Sequence, residues 1–436
     1  MSAPGAASAK ELVLGGQRPL RGQMRLPGCK GLSHRALVFA AIADGVSRIR
    51  GLAPGADVSR TAAALERLGV ALRPDGDATT VTGHGFDGLV EPTEVLDCGN
   101  SATTMRMLAG LLSGRPFFSV LTGDASLVER PMGRVVVPLR TMGAQIDGRD
   151  DAERAPLAVR GAPLAGTAAR LAVASGQVKT ALVLAGLQAT GTTEIIEPAP
   201  SRDHTERMLG AAGAPIERVD NLTVRVRTGS PGAFELDVPG DPSSAAFFVV
   251  AAAITPGSEL VLQDVLLNPG RIAFLEVLTR MGAKIEVEGR GVRLGEPVGD
   301  ISVVASPLHG TEVDCHEAII DEVPALAVAA AFADGITEFR ELAEMRVKET
   351  DRIATLDLEL SKLGVAVESR ADGMTVRGGT PRPATLDSHG DHRIALAAAI
   401  AANAIDGESR VQGWEAAAVS YPGFAHDLDQ LTGRAS

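Results

Sequence analysis

Apolar residues along the chain gather in six stretches, each nearly apolar on all sides and each closed by a glycine. They read SHRALVFAAIADG, TTMRMLAGLLSG, QVKTALVLAGLQATG, SSAAFFVVAAAITPG, EVPALAVAAAFADG and DHRIALAAAIAANAIDG. A helix without a polar face has to be buried, so the pattern predicts six core helices. The closing glycines, Gly45, Gly114, Gly191, Gly257, Gly335 and Gly407, are expected to cap them in the left-handed conformation. They recur about every 70 residues, which marks an internal repeat.

A second series runs beside the first. LERLGVAL, LRTMGAQI, MLGAAGAPI, LTRMGAKI and LSKLGVAV each read as an amphipathic helix end, a glycine and an alternating strand, with glycines at Gly69, Gly143, Gly213, Gly282 and Gly364. A sixth copy, around Asp427 to Gly433, is expected to be clipped. The unit is therefore helix, strand, helix, strand. At 436 residues the chain exceeds one hydrophobic core, and three units per core predict two similar inside-out α/β domains, helices buried and sheets outside, dividing near residue 237. A solenoid fits less well, because its repeats are shorter and present one uniform face.

Polar residues crowd the starts of the six apolar stretches: Lys30, Ser33 and Arg35; Asn100, Thr103 and Arg106; Ser175, Gln177 and Lys179; Asp241, Ser243 and Ser244; Asp321 and Glu322; Asp391, His392 and Arg393. Capping accounts for hydroxyls such as those of Thr104, Ser243 and Ser244. It does not account for Lys30, Arg35, Arg106, Lys179 and Arg393, since a cation at a helix N-terminus opposes the macrodipole. An anion bound between the cations and the helix ends would offset that cost. Only Lys10, Lys30, Lys179, Lys284, Lys348 and Lys362 are lysines, and three of the six, Lys30, Lys179 and Lys348, fall in these polar segments or in the one that follows. The segment MRVKETDRIA adds Arg346, Lys348, Glu349 and Arg352 just ahead of a helix.

Composition narrows the ligand. The formal net charge of −12 repels nucleic acid and anionic lipid at long range, so an anion must be caught by a local basic cluster. Trp414 and Tyr421 are the only residues of their kind, which argues against a base-stacking platform. Cys29, Cys98 and Cys315 are too scattered for a disulfide framework or zinc site and are expected to be small buried thiols. The start, MSAPGAASAK, reads as a disordered tail without an export signal, and no apolar run reaches membrane-spanning length. A soluble, cytoplasmic protein is expected, without nucleic-acid or membrane partners.

Three other signals are set aside. Gly83 to Gly88 matches GxGxxG, but Glu91-Pro92-Thr93 breaks the helix that must follow, leaving a turn. Asp314-Cys315-His316-Glu317 offers metal-ligand types in adjacent positions that do not converge easily on one ion. No P-loop, nucleophile elbow or cysteine–histidine pairing is present.

Together LPGCKGLSHRA, LDCGNSATTMR, ERPM, RVKETDR and GDHRIA resemble the 5-enolpyruvylshikimate-3-phosphate synthase family of enolpyruvyl transferases, from about Leu26 to Phe424. The resemblance implies one domain over 27–237, on the shikimate 3-phosphate side, and another over 1–26 plus 238–436. It implies transfer of the enolpyruvyl group of phosphoenolpyruvate to the 5-hydroxyl of shikimate 3-phosphate by addition and elimination, with no metal or cofactor, in a monomer whose domains close on the acceptor. By resemblance Lys30, Arg130, Arg352 and Arg393 hold phosphoenolpyruvate, flanked by Asn100, Ala102 and Thr103. Arg35, Ser175, Gln177, Arg202, Asp321 and Lys348 match shikimate 3-phosphate positions. Asp321 is the candidate base, Glu349 the candidate acid, and Lys30 completes the catalytic set.

Departures accompany the match. Gly31 and Gly176 stand where the family commonly places side chains, often serine, and Val419 replaces a lysine of one branch. Ala102 replaces a common glycine, and its methyl is expected to weaken glyphosate inhibition. Other readings are the sister enzyme acting on a UDP-aminosugar, whose loop cysteine is missing from TGDASLVERPMGR, a paralogue acting on another hydroxylated acid, and a non-catalytic anion-binding homologue.

Overall fold

The computed structural model describes residues 10–316 and 318–434. Residues 1–9 of the expected tail, and Glu317 of the rejected metal-like run, lie outside them.

All six predicted core helices form: Lys30–Ala41, Ala102–Leu112, Gly176–Gly186, Pro242–Ile254, Val323–Phe332 and His392–Ala404. Their all-round apolarity is matched by burial on every side. From Ala245 to Ala253 no residue is more than 2% exposed. Small side chains let the helices approach closely: a Cβ at Gly110 would stand 2.1 Å from the Ala181 carbonyl oxygen, so only glycine lets those two helices pack.

The glycines divide differently from the expectation. The core helices end before their closing glycines; Lys30–Ala41 stops four residues short of Gly45, which has φ 121° and sits in the strand Asp44–Arg50. Gly114 is not left-handed at all, whereas Gly191, Gly257, Gly335 and Gly407 are, with φ between 82° and 108°. The second series holds the true left-handed caps: Gly69, Gly143, Gly213, Gly282 and Gly364 have φ between 79° and 102° and follow the amphipathic helices directly. An all-apolar helix is held by packing and can end on any turn. An amphipathic helix must reverse the chain at once to bring its strand onto the sheet.

Each repeat lays a sheet outside its helices. Asp44–Arg50 pairs in parallel with Glu235–Asp237 and antiparallel with Ala78–His84, which pairs with Ala71–Asp75. The same order recurs around Phe118–Thr122, Thr192–Ile196, Glu259–Leu266 and Ile336–Arg340. The sixth sheet has three strands among the described residues: Thr385–Asp387, Glu408–Gln412 and Glu11–Gly15. Its last helix, Phe424–Thr432, carries the left-handed cap Gly433. The strand Glu11–Gly15 is the antiparallel partner of Glu408–Gln412.

The chain divides into two compact units. The first comprises Gly28–Val238 with Val292–Glu296; the second comprises the chain up to Pro27, Pro239–Gly291 and everything from Pro297. Val292–Glu296 is the turn between two long strands, Lys284–Arg293 and Glu296–Val304.

Gly83 to Gly88 ends in a short 3-10 turn over Phe86–Gly88, with no helix behind it. The three cysteines are buried thiols, and burial pushes Cys98 and Cys315 up to about 12. No helix among the described residues is long and apolar enough to cross a membrane.

Candidate active site

In the first unit the polar residues sit where the sequence put them, on the opening turns of the three core helices. Lys30 is the first residue of its helix, and its Nζ lies 2.8 Å from Asp57, from the first turn of the helix Ala56–Arg67. One turn on, buried Arg35 donates to the Gly31 carbonyl at 3.0 Å, the Gly176 carbonyl at 3.1 Å, and the hydroxyls of Thr180 and Thr205 at 2.9 Å each. The guanidinium is thereby locked in place across three segments of chain. Burial lowers Arg35 to about 10, opposed chiefly by Glu206, so it keeps its charge at neutral pH.

Ser175 caps the helix Gly176–Gly186. Gln177 donates to Thr103 at 2.9 Å and accepts from Arg106 at 2.6 Å. Arg130 donates to Asn100 at 2.9 Å, and Asn100 is steadied in turn by Asp124. Ala102 opens its helix, 6% exposed. A Cβ at Gly176 would stand 3.2 Å from both the Cβ and the carbonyl oxygen of Arg202, a tight contact. Arg202 thus packs over the helix start.

The second unit gathers Asp321, Lys348, Glu349, Arg352 and Arg393. The Asp321 carboxylate lies 3.8 Å from Lys348, 3.9 Å from Arg352 and 3.6 Å from Arg393, and Arg393 also donates to the Asp321 carbonyl at 2.6 Å. Arg352, 1% exposed, is gripped by Asp391 at 2.8 Å and Glu349 at 2.6 Å. Asp321 is not a helix cap: the helix begins at Val323 behind Glu322. Glu322 accepts from the Ser243 hydroxyl, which accepts from Arg271 at 2.7 Å, and this buried chain anchors the backbone next to Asp321.

Several expectations are corrected. Thr104 and Ser243 are not the caps; Ser101 and Asp241 are, each accepting from a backbone amide of the first turn. Val419 is half-buried at the end of a 3-10 turn, Trp414–Val419. Arg346 is spent on Asp351 and the carbonyls of Arg370 and Ala371, so it braces its own loop. Lys179 does not face an anion site. It is 2% exposed and clamped between Glu197 at 2.7 Å and Glu206 at 2.8 Å. Its cost at the helix start is met by these carboxylates, 18 and 27 residues away, which no local pattern announces. Removing the cation would strand both buried carboxylates, so Lys179→Met is expected to lower unfolding free energy by about 3–5 kcal/mol in urea titrations.

The sequence missed Asp57, Asp124, Thr180 and Thr205, ordinary helix or loop residues without a motif. Asp391 was visible among the helix lead-ins, but its place beneath Arg352 was not. Asp203, His204 and Glu296 could each turn a ligand atom within 4.8 Å of the others. Asp203 is already paired with Arg207 at 2.7 Å and His204 with Glu296 at 2.7 Å, so each of the three already has a protein partner.

The two clusters can hold multiply charged anions and offer two carboxylates for proton transfer. The chain matches a family model described as EPSP synthase (3-phosphoshikimate 1-carboxyvinyltransferase) over residues 14–428. It is 50% identical over 438 residues to a 3-phosphoshikimate 1-carboxyvinyltransferase of Prochlorococcus marinus, covering 98% of each chain. It is 51% identical over 427 residues to one of Chloroflexus aurantiacus, covering 96% of this chain and 98% of that one. An EPSP synthase structure from Acinetobacter baumannii superposes with a TM-score of 0.87 at 39% identity, covering 97% of this chain and 98% of the other. The enolpyruvyl transferase NikO of Streptomyces tendae shares the fold at 18% identity, with a TM-score of 0.78 over 97% of both chains. By sequence along nearly its whole length and by its sixfold inside-out α/β architecture, this chain belongs to the EPSP synthase family.

Proposed function

We propose that the chain transfers the carboxyvinyl group of phosphoenolpyruvate to the 5-hydroxyl of shikimate 3-phosphate and releases phosphate. The observation that carries this reading is the cluster in the second unit, where one carboxylate, Asp321, is faced by three cations and a second, Glu349, is fixed against Arg352.

Asp321 takes the proton from the acceptor hydroxyl, whose oxygen attacks the central carbon of phosphoenolpyruvate. Glu349 delivers a proton to the methylene carbon, giving a tetrahedral adduct. Glu349, now a carboxylate, takes a methyl proton back, and the double bond re-forms as phosphate leaves. Lys30, Arg130, Arg352 and Arg393 serve the carboxylate and phosphate of phosphoenolpyruvate. Drawing Arg352 and Arg393 toward that anion relieves Asp321 of their charge and makes it a better base. Arg35 and Arg202, with Ser175 and Gln177, serve the acceptor, and Lys348 shares it with Asp321. Charge and alignment then supply most of the acceleration. The test is product identity: mass spectrometry should find the acceptor carrying a carboxyvinyl group, whereas a paralogue would leave shikimate 3-phosphate unchanged.

The methyl of Ala102 supports a narrower phosphoenolpyruvate pocket and weak inhibition by glyphosate, which is longer than the substrate it displaces. Ala102→Gly is expected to lower the glyphosate inhibition constant about tenfold or more, roughly 1.4 kcal/mol. Equal constants in native and variant would refute it.

A further inference from the structure

The turn that returns to the first unit has a use that the reaction chemistry does not require. At its tip Leu294 and Gly295 adopt φ of 45° and 80°, and a Cβ on Gly295 would lie 2.5 Å from the Arg207 carbonyl oxygen. That approach seats Glu296, 0% exposed, against His204, also 0% exposed, with Oε1 2.7 Å from Nδ1.

His204 opens the helix His204–Ala211, which has no side-chain cap on its first turn. Its start is held instead by this buried hydrogen bond. On one side of His204, Thr205 accepts from Arg35 at 2.9 Å and shares a 2.6 Å hydrogen bond with Thr180. On the other, Arg202 packs over Gly176. Burial lowers the Arg35 guanidinium; Glu206 and, less strongly, Glu296 oppose that lowering, and the charge of Arg202 adds to it.

We infer that Glu296 is a positioning residue for the acceptor. By fixing His204 it sets the Arg202–Thr205 segment and hence the spacing of the two guanidiniums, Arg35 and Arg202, that serve the acceptor. The inference rests on the functional reading above. A pair of cations set for one acceptor loses affinity when one of them can drift, whereas steps at phosphoenolpyruvate are untouched.

The test is steady-state kinetics of Glu296→Ala and Glu296→Gln, with thermal unfolding alongside. Glu296→Ala is expected to raise KM for shikimate 3-phosphate about tenfold, with kcat and KM for phosphoenolpyruvate within about twofold of native. Glu296→Gln keeps an oxygen for His204 and should recover most of the acceptor affinity. An unchanged acceptor KM in a folded Glu296→Ala protein would overturn the inference alone. Native protein that does not turn over shikimate 3-phosphate would overturn the functional reading and this inference with it. If Glu296→Ala does not fold, His204→Leu against His204→Gln reads the same contact: a raised acceptor KM in the leucine variant only is the expected result, and native values in both refute it.

Discussion

Asp321→Ala is expected to lower kcat by about a hundred- to ten-thousand-fold, the range over which a positioned proton-transfer group contributes, while phosphoenolpyruvate binding is kept or strengthened. The sign of the binding change follows from the geometry. Asp321 neutralises part of the charge of Lys348, Arg352 and Arg393, all within 3.9 Å. Removing it leaves those cations to the anionic substrate. Calorimetric titration of phosphoenolpyruvate beside single-turnover kinetics separates the two effects. If binding and turnover fell together, Asp321 would be a structural counterion and the base would have to be sought elsewhere.

Arg352→Met is the second large effect, expected first in stability and then in phosphoenolpyruvate affinity. The side chain is buried, and its charge is preserved there against desolvation by Glu349, Asp391 and Asp321. Truncation strands those carboxylates and is expected to cost about 3–5 kcal/mol of unfolding free energy. It also changes the pH dependence. Burial alone would raise the Asp391 carboxyl, but the charge and hydrogen bond of Arg352 outweigh it and hold the group below its usual range. A depressed carboxyl contributes stability that is fully present above its unfolded pKa, about 4, and is lost as pH falls through the folded value. Without Arg352 burial prevails and the carboxyl rises. The sign then reverses: the folded variant holds this proton more tightly than the unfolded chain, so its stability should rise relative to that of the native protein as pH falls toward about 4. Urea titrations at a series of pH values check this; parallel curves for the two proteins would contradict the assignment. Arg352→Lys is expected to rescue only part, because an ammonium cannot span Asp391 and Glu349 as the planar guanidinium does.

The repeat was legible because burial on all sides leaves a run such as Ala245–Ala253 without a polar residue, which no surface helix tolerates. The glycines were legible as boundaries but not as types. Gly45 and Gly69 look alike in sequence, yet only Gly69 closes a helix directly. The second-unit cluster was readable because RVKETDR and GDHR place its cations within short motifs. The counterions were not. Glu296 lies 92 residues from His204 and Asp57 lies 27 from Lys30, so only the fold brings them together. Lys179 shows how this misleads: a cation at a helix start looks the same whether its partner is a ligand or two distant glutamates.

The central claim is tested most directly by phosphate release from phosphoenolpyruvate with shikimate 3-phosphate as acceptor, in the native protein and in Asp321→Ala and Glu349→Gln. The account predicts rapid, acceptor-dependent release that collapses in both variants. Binding of both substrates to the native protein without release would contradict it.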